Sequence, residues 1–315
     1  MSRTMRGAWI DTAGEVVIRD LDVPTTGPDR LLLRTVVSAL CGSDLHRFRG
    51  ADSYGVDTDA FGHESVGQVV GGGSGRLAPG TLVLHTPQPR DGKVFAAYQY
   101  AYVDYVIPVP AGVAAEDALL AQQLGTVLYG LRLFWKAEAP PRTAFVAGAG
   151  PAGLLFVLAL RRLGCHDIVV SEPVPTRLAL ARALGARDGA ATDVDLAIDT
   201  TGVLDGRRAC LDALRRGGTC GVFGLPDDEP GDLGLSVLEL MGRNLTVVGA
   251  QGTQSEPGLR SFHEALALIA DGSFDVGPLI SHRIDLDHLP ALTRAAAAPD
   301  DGVVKVLVTF DSEER

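Results

Sequence analysis

Residues 143–164, TAFVAGAGPAGLLFVLALRRLG, decide the architecture of this chain. Thr143–Ala147 is a continuous apolar run of buried-strand type. Gly148-Ala149-Gly150-Pro151-Ala152-Gly153 then opens an apolar-periodic stretch that reads as a helix to Leu163. A second strand, Asp167–Ser171, ends on Glu172. A Gly-x-Gly-x-x-Gly alone says little and can be a structural turn. Set between a strand and a helix, with an acidic residue closing the next strand, it is a dinucleotide-binding fingerprint. Gly148 makes the tight turn, Gly150 lets backbone approach a pyrophosphate, and Gly153 lets helix and strand pack closely. Pro151 and Ala152 start a helix whose N-terminal N–H groups and dipole face the phosphates. Glu172 is expected to accept from ribose hydroxyls and to repel a 2′-phosphate, which favours NAD(H) over NADP(H). Arg177, in the next helix, reads as a ribose contact, as a partial rescue of NADP binding, or as a solvated helix-start cation.

The alternation continues downstream. Helices are expected over Thr176–Leu184, Leu204–Arg216 and Leu235–Met241, and strands over Val194–Asp199, Thr219–Gly224 and Leu245–Gly249. Strands alternating with helices imply a doubly wound parallel sheet of Rossmann type. Upstream, short β-rich runs (Ala8–Ile10, Glu15–Arg19, Leu31–Val37, Val66–Val70, Leu82–Leu84, Val103–Val109) separated by Gly/Pro turns imply a β-rich, partly barrelled domain. A helix (Leu259–Ala270) and a strand (Val303–Phe310) follow the Rossmann stretch.

At 315 residues the chain exceeds the usual size of a single core, so two domains are expected. With 46% hydrophobic and 21% charged residues it is globular rather than disordered. The net charge of −11, without a Lys/Arg cluster, argues against nucleic acid and anionic membranes as partners. The first 20 residues hold no apolar core of signal-peptide length, and the longest apolar stretch, Phe145–Leu160, is broken by glycines and a proline. Four cysteines, at 41, 165, 210 and 220, show no framework spacing, so a reduced, cytoplasmic protein is expected.

Two stretches before the glycine-rich turn carry further chemistry: Cys41-Gly42-Ser43-Asp44-Leu45-His46 and Gly62-His63-Glu64. A lone Cys is usually packing and a lone His usually a satisfied polar residue. Cys41, His63 and Glu64 together offer the S, N and O donors that zinc prefers.

With CGSDLH, GHE, GAGPAG, the acidic end of the second strand, VFGLP and the closing KVLVTF in this order, nearly the whole chain resembles the medium-chain dehydrogenase/reductase superfamily, in its zinc-dependent alcohol and polyol dehydrogenase branch. The resemblance implies a GroES-like catalytic domain (1–122 and 252–315) and a Rossmann domain (123–251). It makes Cys41 and His63 catalytic zinc ligands and Glu64 a carboxylate able to enter the shell. It makes Ser43 the substrate-side start of a proton relay that ends at His46. Gly224 and Leu225 would present backbone groups to the nicotinamide. Lys305 would contact the pyrophosphate, or else is a strand-edge lysine.

The sequence also departs from that pattern. Pro89 stands where the structural-zinc lobe would place its first cysteine, so no structural zinc is expected. The remaining catalytic-ligand position, a Cys or Glu in the family, is Gln123, with Gln122 beside it. His85, before Thr86-Pro87-Gln88, falls where the family lines the substrate pocket, and reads as a substitute ligand, a substrate contact or a surface histidine. The segment Gly185–Asp193 is short for the family.

The implied activity is NAD(H)-dependent interconversion of a secondary alcohol and a ketone on one catalytic zinc. The polar loop Arg47–Tyr54, with Arg47 and Arg49, favours a polyol, cyclitol, sugar or specialised metabolite, unless those arginines simply face water. A zinc-free reductase of a ketone or activated double bond, and a cofactor-bound non-catalytic scaffold, are the competing readings. By analogy with the family, a homodimer or homotetramer is expected through the edge strand Leu245–Gly249.

Overall fold

The computed structural model describes residues 3–48, 61–88, 91–226, 232–296 and 302–310; the side chains of 46–48, 295 and 296 are not among those described. The expectations for Arg49–Tyr54 and Pro89, and for the side chains of His46 and Arg47, lie outside the described set. The chain divides into two compact units, Met1–Gln123 with Gln254–Arg315, and Leu124–Thr253.

In chain order the first unit begins with strands β1 (Thr4–Ile10), β2 (Val16–Asp22) and β3 (Arg30–Leu40) and a short helix, α1 (Gly42–Phe48). Strands β4 (Ser65–Gly72), β5 (Leu82–His85), β6 (Tyr98–Tyr102) and β7 (Val106–Pro108) follow. Helix α2 (Ala115–Phe134) then carries the chain into the second unit. That unit holds β8 (Thr143–Ala147), α3 (Pro151–Leu163), β9 (Asp167–Ser171), α4 (Pro175–Ala183), β10 (Arg187–Asp188) and β11 (Val194–Asp199). It ends with α5 (Leu204–Ala213), β12 (Leu214–Val222), α6 (Val237–Arg243) and β13 (Thr246–Gly249). The chain returns to the first unit with α7 (Arg260–Ala270), β14 (Ile280–Asp285), α8 (Leu289–Ala296) and β15 (Lys305–Thr309).

In the first unit β14-β15-β3-β4-β5-β7 form one sheet, with β6 also paired to β3, while β1 and β2 form a separate antiparallel pair. Leu31 and Leu33 of β3 alternate inward and pack with Val69, Val83 and Ala101, the period-two burial expected of a sheet with one core face. Three registers matter for the site. Val306 lies opposite Leu40, Ser65 opposite Ser38, and His85 opposite Ser65. They bring the end of β3, the start of β4 and the start of β15 to one place.

The second unit is a six-stranded parallel sheet in the order β10-β9-β8-β11-β12-β13. β8 and β11 are neighbours from which the chain winds in opposite directions, so a crevice opens at their carboxyl ends, the place where such sheets bind ligands. β11 is buried at every position, as a central parallel strand must be.

The helix expected to reach Arg216 stops at Ala213, and Leu214–Arg216 already belong to β12. Arg215 Nε donates to the buried Asp195 carboxylate at 2.6 Å, which draws the chain out of the helix and into the ladder. Val103–Tyr105 forms a single 3₁₀ turn rather than the start of a strand. Among the described residues no helix is long and apolar enough to cross a membrane.

Candidate active site

Cys41 follows the last residue of β3, and His63 and Glu64 precede β4. Ala39 N–H donates to Glu64 O at 3.0 Å, which ties the two strand ends together. The Cys41, His63 and Glu64 donor atoms consequently lie within 4.8 Å of one another, the one such group of three among the described residues.

Asp44, on the first turn of α1, organises the group. Its Oδ2 accepts the Cys41 N–H at 3.0 Å, and its Oδ1 lies 3.5 Å from His63 Nδ1. The ring's other nitrogen, Nε2, lies 3.5 Å from Ser43 Oγ. A carboxylate on one imidazole nitrogen leaves the other as the ligand lone pair. Burial alone would lower the His63 pKa, but the charges of Asp44 and Cys41 outweigh it and hold it well above 6.5. His63 would have to give up a proton in order to hold a metal through Nε2. Asp44 stands inside the CGSDLH run, yet the motif gave it no role. The signal available was a carboxylate three residues after a candidate thiolate.

Glu64 is 1% exposed. Its Oε2 lies 2.5 Å from Lys305 Nζ, and its Oε1 has no hydrogen-bond partner. Lys305 corrects the expectation of a pyrophosphate contact. The side chain is fully buried, and its ammonium is committed to Glu64 and to the Leu40 carbonyl at 3.3 Å. Burial would lower its pKa, but Glu64, Cys41 and Asp44 hold it raised. The donors present fit zinc: one cysteine sulfur, one imidazole with its outer nitrogen already paired, and one carboxylate with an orphaned buried oxygen. Lying within 4.8 Å of one another, these three atoms are near enough to be shared by one ion.

His85 stands outside this group. It is neither a surface histidine nor a member of the donor set, but a 2% exposed side chain on β5. Its Nδ1 lies 2.8 Å from Gln99 Oε1. That oxygen also accepts from Ser65 Oγ, and Gln99 Nε2 donates to Thr35 Oγ1. This pattern places the proton on His85 Nδ1 and leaves Nε2 as an acceptor. Burial drops the His85 pKa to about 4, only partly offset by Gln99, so the ring is neutral at pH 7. No sequence signal marked Gln99. Gln123 lies on α2, 9% exposed, with a buried Oε1 that has no partner.

In the second unit the glycine-rich turn has the form its spacing implies. Gly148 takes φ +94°, and Gly148 N–H donates to Ser171 O, linking the turn to the end of β9. A Cβ on Gly153 would stand 2.1 Å from Gly148 O, so only glycine allows this approach. A Cβ on Gly150 would meet nothing within 4 Å, which leaves open space over the N-terminus of α3. Gly150 caps that helix without a side-chain bond and Pro151 stands in its first turn, so the Ala152 and Gly153 N–H groups are left for an incoming anion. Glu172 leans onto the same turn. Its Oε2 accepts Ala149 N–H at 2.6 Å and its Oε1 accepts Val174 N–H at 2.9 Å. Arg177 lies partly buried in the first turn of α4. Gly224 and Leu225 follow β12 at the carboxyl end of the same sheet. Cys165, Cys210 and Cys220 are buried in this unit, all unpaired.

Comparison with known proteins agrees with this geometry. Residues 27–127 match the alcohol dehydrogenase GroES-like domain, and residues 151–271 match the zinc-binding dehydrogenase domain. The chain is 24% identical to the sorbitol dehydrogenase of Bacillus subtilis (strain 168), over 97% of both chains. It superposes on 2R,3R-butanediol dehydrogenase from Bacillus subtilis with a TM-score of 0.84 at 25% identity, covering 98% of this chain and all of that one. A zinc-binding dehydrogenase from Sinorhizobium meliloti 1021 bound to NADP gives the same TM-score at 24% identity, covering 98% and 100%. A GroES-like unit bearing a Cys/His/Glu triad and a Rossmann sheet bearing the glycine-rich turn make this chain a member of the medium-chain dehydrogenase/reductase superfamily, an oxidoreductase of the zinc-binding alcohol dehydrogenase type.

Proposed function

We propose that the protein interconverts a secondary alcohol and a ketone with NAD(H), using one zinc held by Cys41, His63 and Glu64. The triad, with Ser43 Oγ 3.5 Å from His63 Nε2, carries this reading. When bound, zinc supplies Lewis-acid polarisation of the substrate oxygen and the nicotinamide supplies the hydride acceptor. Asp44 orients His63, and Lys305 balances the charge of Glu64. Ser43 Oγ takes the substrate hydroxyl proton and passes it towards His46. The unpartnered Gln123 Oε1 serves as a neutral ligand or as an acceptor for a second substrate hydroxyl.

The substrate is a polyol, cyclitol, sugar or related hydroxylated metabolite. Supporting this is the neutral His85, whose Nε2 is an acceptor and therefore suits a hydroxyl donor. NAD(H) is favoured over NADP(H) because Glu172 puts a carboxylate on the glycine-rich turn, where it repels a 2′-phosphate. Gly224 and Leu225 present backbone groups to the nicotinamide, and Arg177 lies beside the adenosine ribose. A cytoplasmic homodimer or homotetramer forms through β13, the sheet edge, helped by the exposed Val237, Leu238 and Met241 of α6.

Metal analysis of protein purified without chelator, with NAD- and NADP-linked turnover on a polyol and ketone panel, tests this. One zinc per chain with NAD-linked oxidation supports the reading. Turnover without bound metal favours the zinc-free reductase instead.

A further inference from the structure

Asp199, the last residue of β11, is fully buried and is not used by the chemistry above. Its backbone carbonyl accepts from Phe223 N–H at 2.9 Å and from Gly224 N–H at 3.0 Å. Its Oδ1 accepts from Thr201 N–H at 2.8 Å and from Thr201 Oγ1 at 2.6 Å, while Oδ2 has no partner. The turn that Oδ1 holds is pressed against the residues after β12. A Cβ on Gly202 would stand 1.8 Å from Leu225 O, and a Cβ on Gly224 would stand 2.3 Å from Gly202 N. From the other side the buried Arg207 guanidinium donates to Gly202 O at 2.9 Å. Thr200 Oγ1 also donates to Ala147 O at 2.8 Å, next to the glycine-rich turn. Burial pushes the Asp199 carboxyl up, with Thr201 and Arg207 pulling it back. A buried carboxyl with one orphaned oxygen is costly, and such a group calls for a reason.

We propose that Asp199 is a positioning residue for the nicotinamide end of the cofactor: its carboxylate sets the Thr200–Gly202 turn, and that turn sets the Gly224–Leu225 backbone. This rests on the reading that Gly224 and Leu225 face the nicotinamide. Two strand ends are locked together at van der Waals contact, so loosening one displaces the other. The adenine end depends on different groups, the Gly148–Gly153 turn and Glu172. Thr200 also touches the glycine-rich turn through Ala147 O, so weakened charge-assisted hydrogen bonds at Asp199 are felt chiefly, though not solely, at the nicotinamide end of the dinucleotide.

The test compares NADH with ADP-ribose, which has the same adenine, ribose and pyrophosphate but no nicotinamide. Both are titrated calorimetrically into the intact wild-type protein, Asp199→Asn and Thr201→Val. The expected result is a rise of about tenfold in the NADH Kd for Asp199→Asn, with a smaller rise for Thr201→Val. The ADP-ribose Kd stays within about twofold. Equal weakening of both ligands means general damage to the unit and overturns the proposal, as does no change in either. If Asp199→Asn does not fold, Thr201→Val, which removes the hydroxyl that donates to Asp199 Oδ1 and accepts from Val203 N–H, decides between the same outcomes. A wild-type protein that binds ADP-ribose but gains nothing from the nicotinamide overturns the underlying reading and this inference together. Tight wild-type NADH binding with unaffected variants overturns this inference alone.

Discussion

Lys305 Nζ stands 2.5 Å from Glu64 Oε2 with both side chains sealed from solvent, joining the first residue of β15 to the loop that opens β4. Removing one partner of such a pair strands the other charge, at a cost of about 3–5 kcal/mol. Lys305→Met is expected to lose stability of this order in denaturant unfolding of chelator-treated protein. Adding Glu64→Gln is expected to recover part of it. Losses that simply add would show that the two groups are not coupled.

Cys41→Ala and His63→Ala are expected to abolish turnover and metal retention while NADH binding stays near wild type. Asp44→Asn is expected to lower metal affinity about 10–100-fold, because the imidazole loses its orienting partner. Metal titration with a competing chelator measures this. Unchanged affinity would remove Asp44 from the site.

The second and third glycines of the turn separate stability from binding. Gly153→Ala drives a Cβ into Gly148 O and is expected to destabilise the unit by about 1–3 kcal/mol or more. Gly150→Ala enters open space at an unstrained backbone, so Tm is expected to stay within a degree or two while NADH binding weakens. Thermal melts with and without NADH read both.

Glu172→Ser is expected to shift the ratio of NADH to NADPH affinity towards NADPH by about tenfold or more, because the proposed repulsion of a 2′-phosphate is removed. Paired Kd values for the two cofactors measure it. An unchanged ratio would show that Glu172 serves only to brace Ala149 and Val174.

Burial would raise the Asp195 carboxyl, but hydrogen bonds from Arg215, Arg142 and Thr143 hold it down at about 2, against an ordinary 3.8. A depressed carboxylate stabilises the fold above its unfolded pKa. The contribution, about 2 kcal/mol, is complete above about pH 4 and is lost as pH falls towards 2. Acid unfolding of Asp195→Asn is expected to be correspondingly less steep in that window. Identical acid profiles would refute the assignment.

The Rossmann unit was legible because its signals are local. The Thr143–Ala147 run, the glycine spacing and Glu172 each act within a few residues, and the strand–turn–helix they imply is the one observed. The donor set Cys41, His63 and Glu64 was legible as chemistry, and its assembly follows from strand register. A side chain whose role depends on a neighbour distant in sequence carries no such local signal. Lys305 looks like a strand-edge cation until β15 is laid beside β3, and His85 looks like a loop histidine until Gln99 is found behind it.

What this sequence determined by itself was therefore the class of fold and the kinds of donor it carries. Turn geometry, burial periodicity and ligand chemistry are properties of short segments. Which charge meets which was decided only by the tertiary structure, where antiparallel register sets Leu40 opposite Val306 and buries an ammonium against a carboxylate. Burial is what gives that pairing its force, because a charge taken from water must find its partner inside the protein.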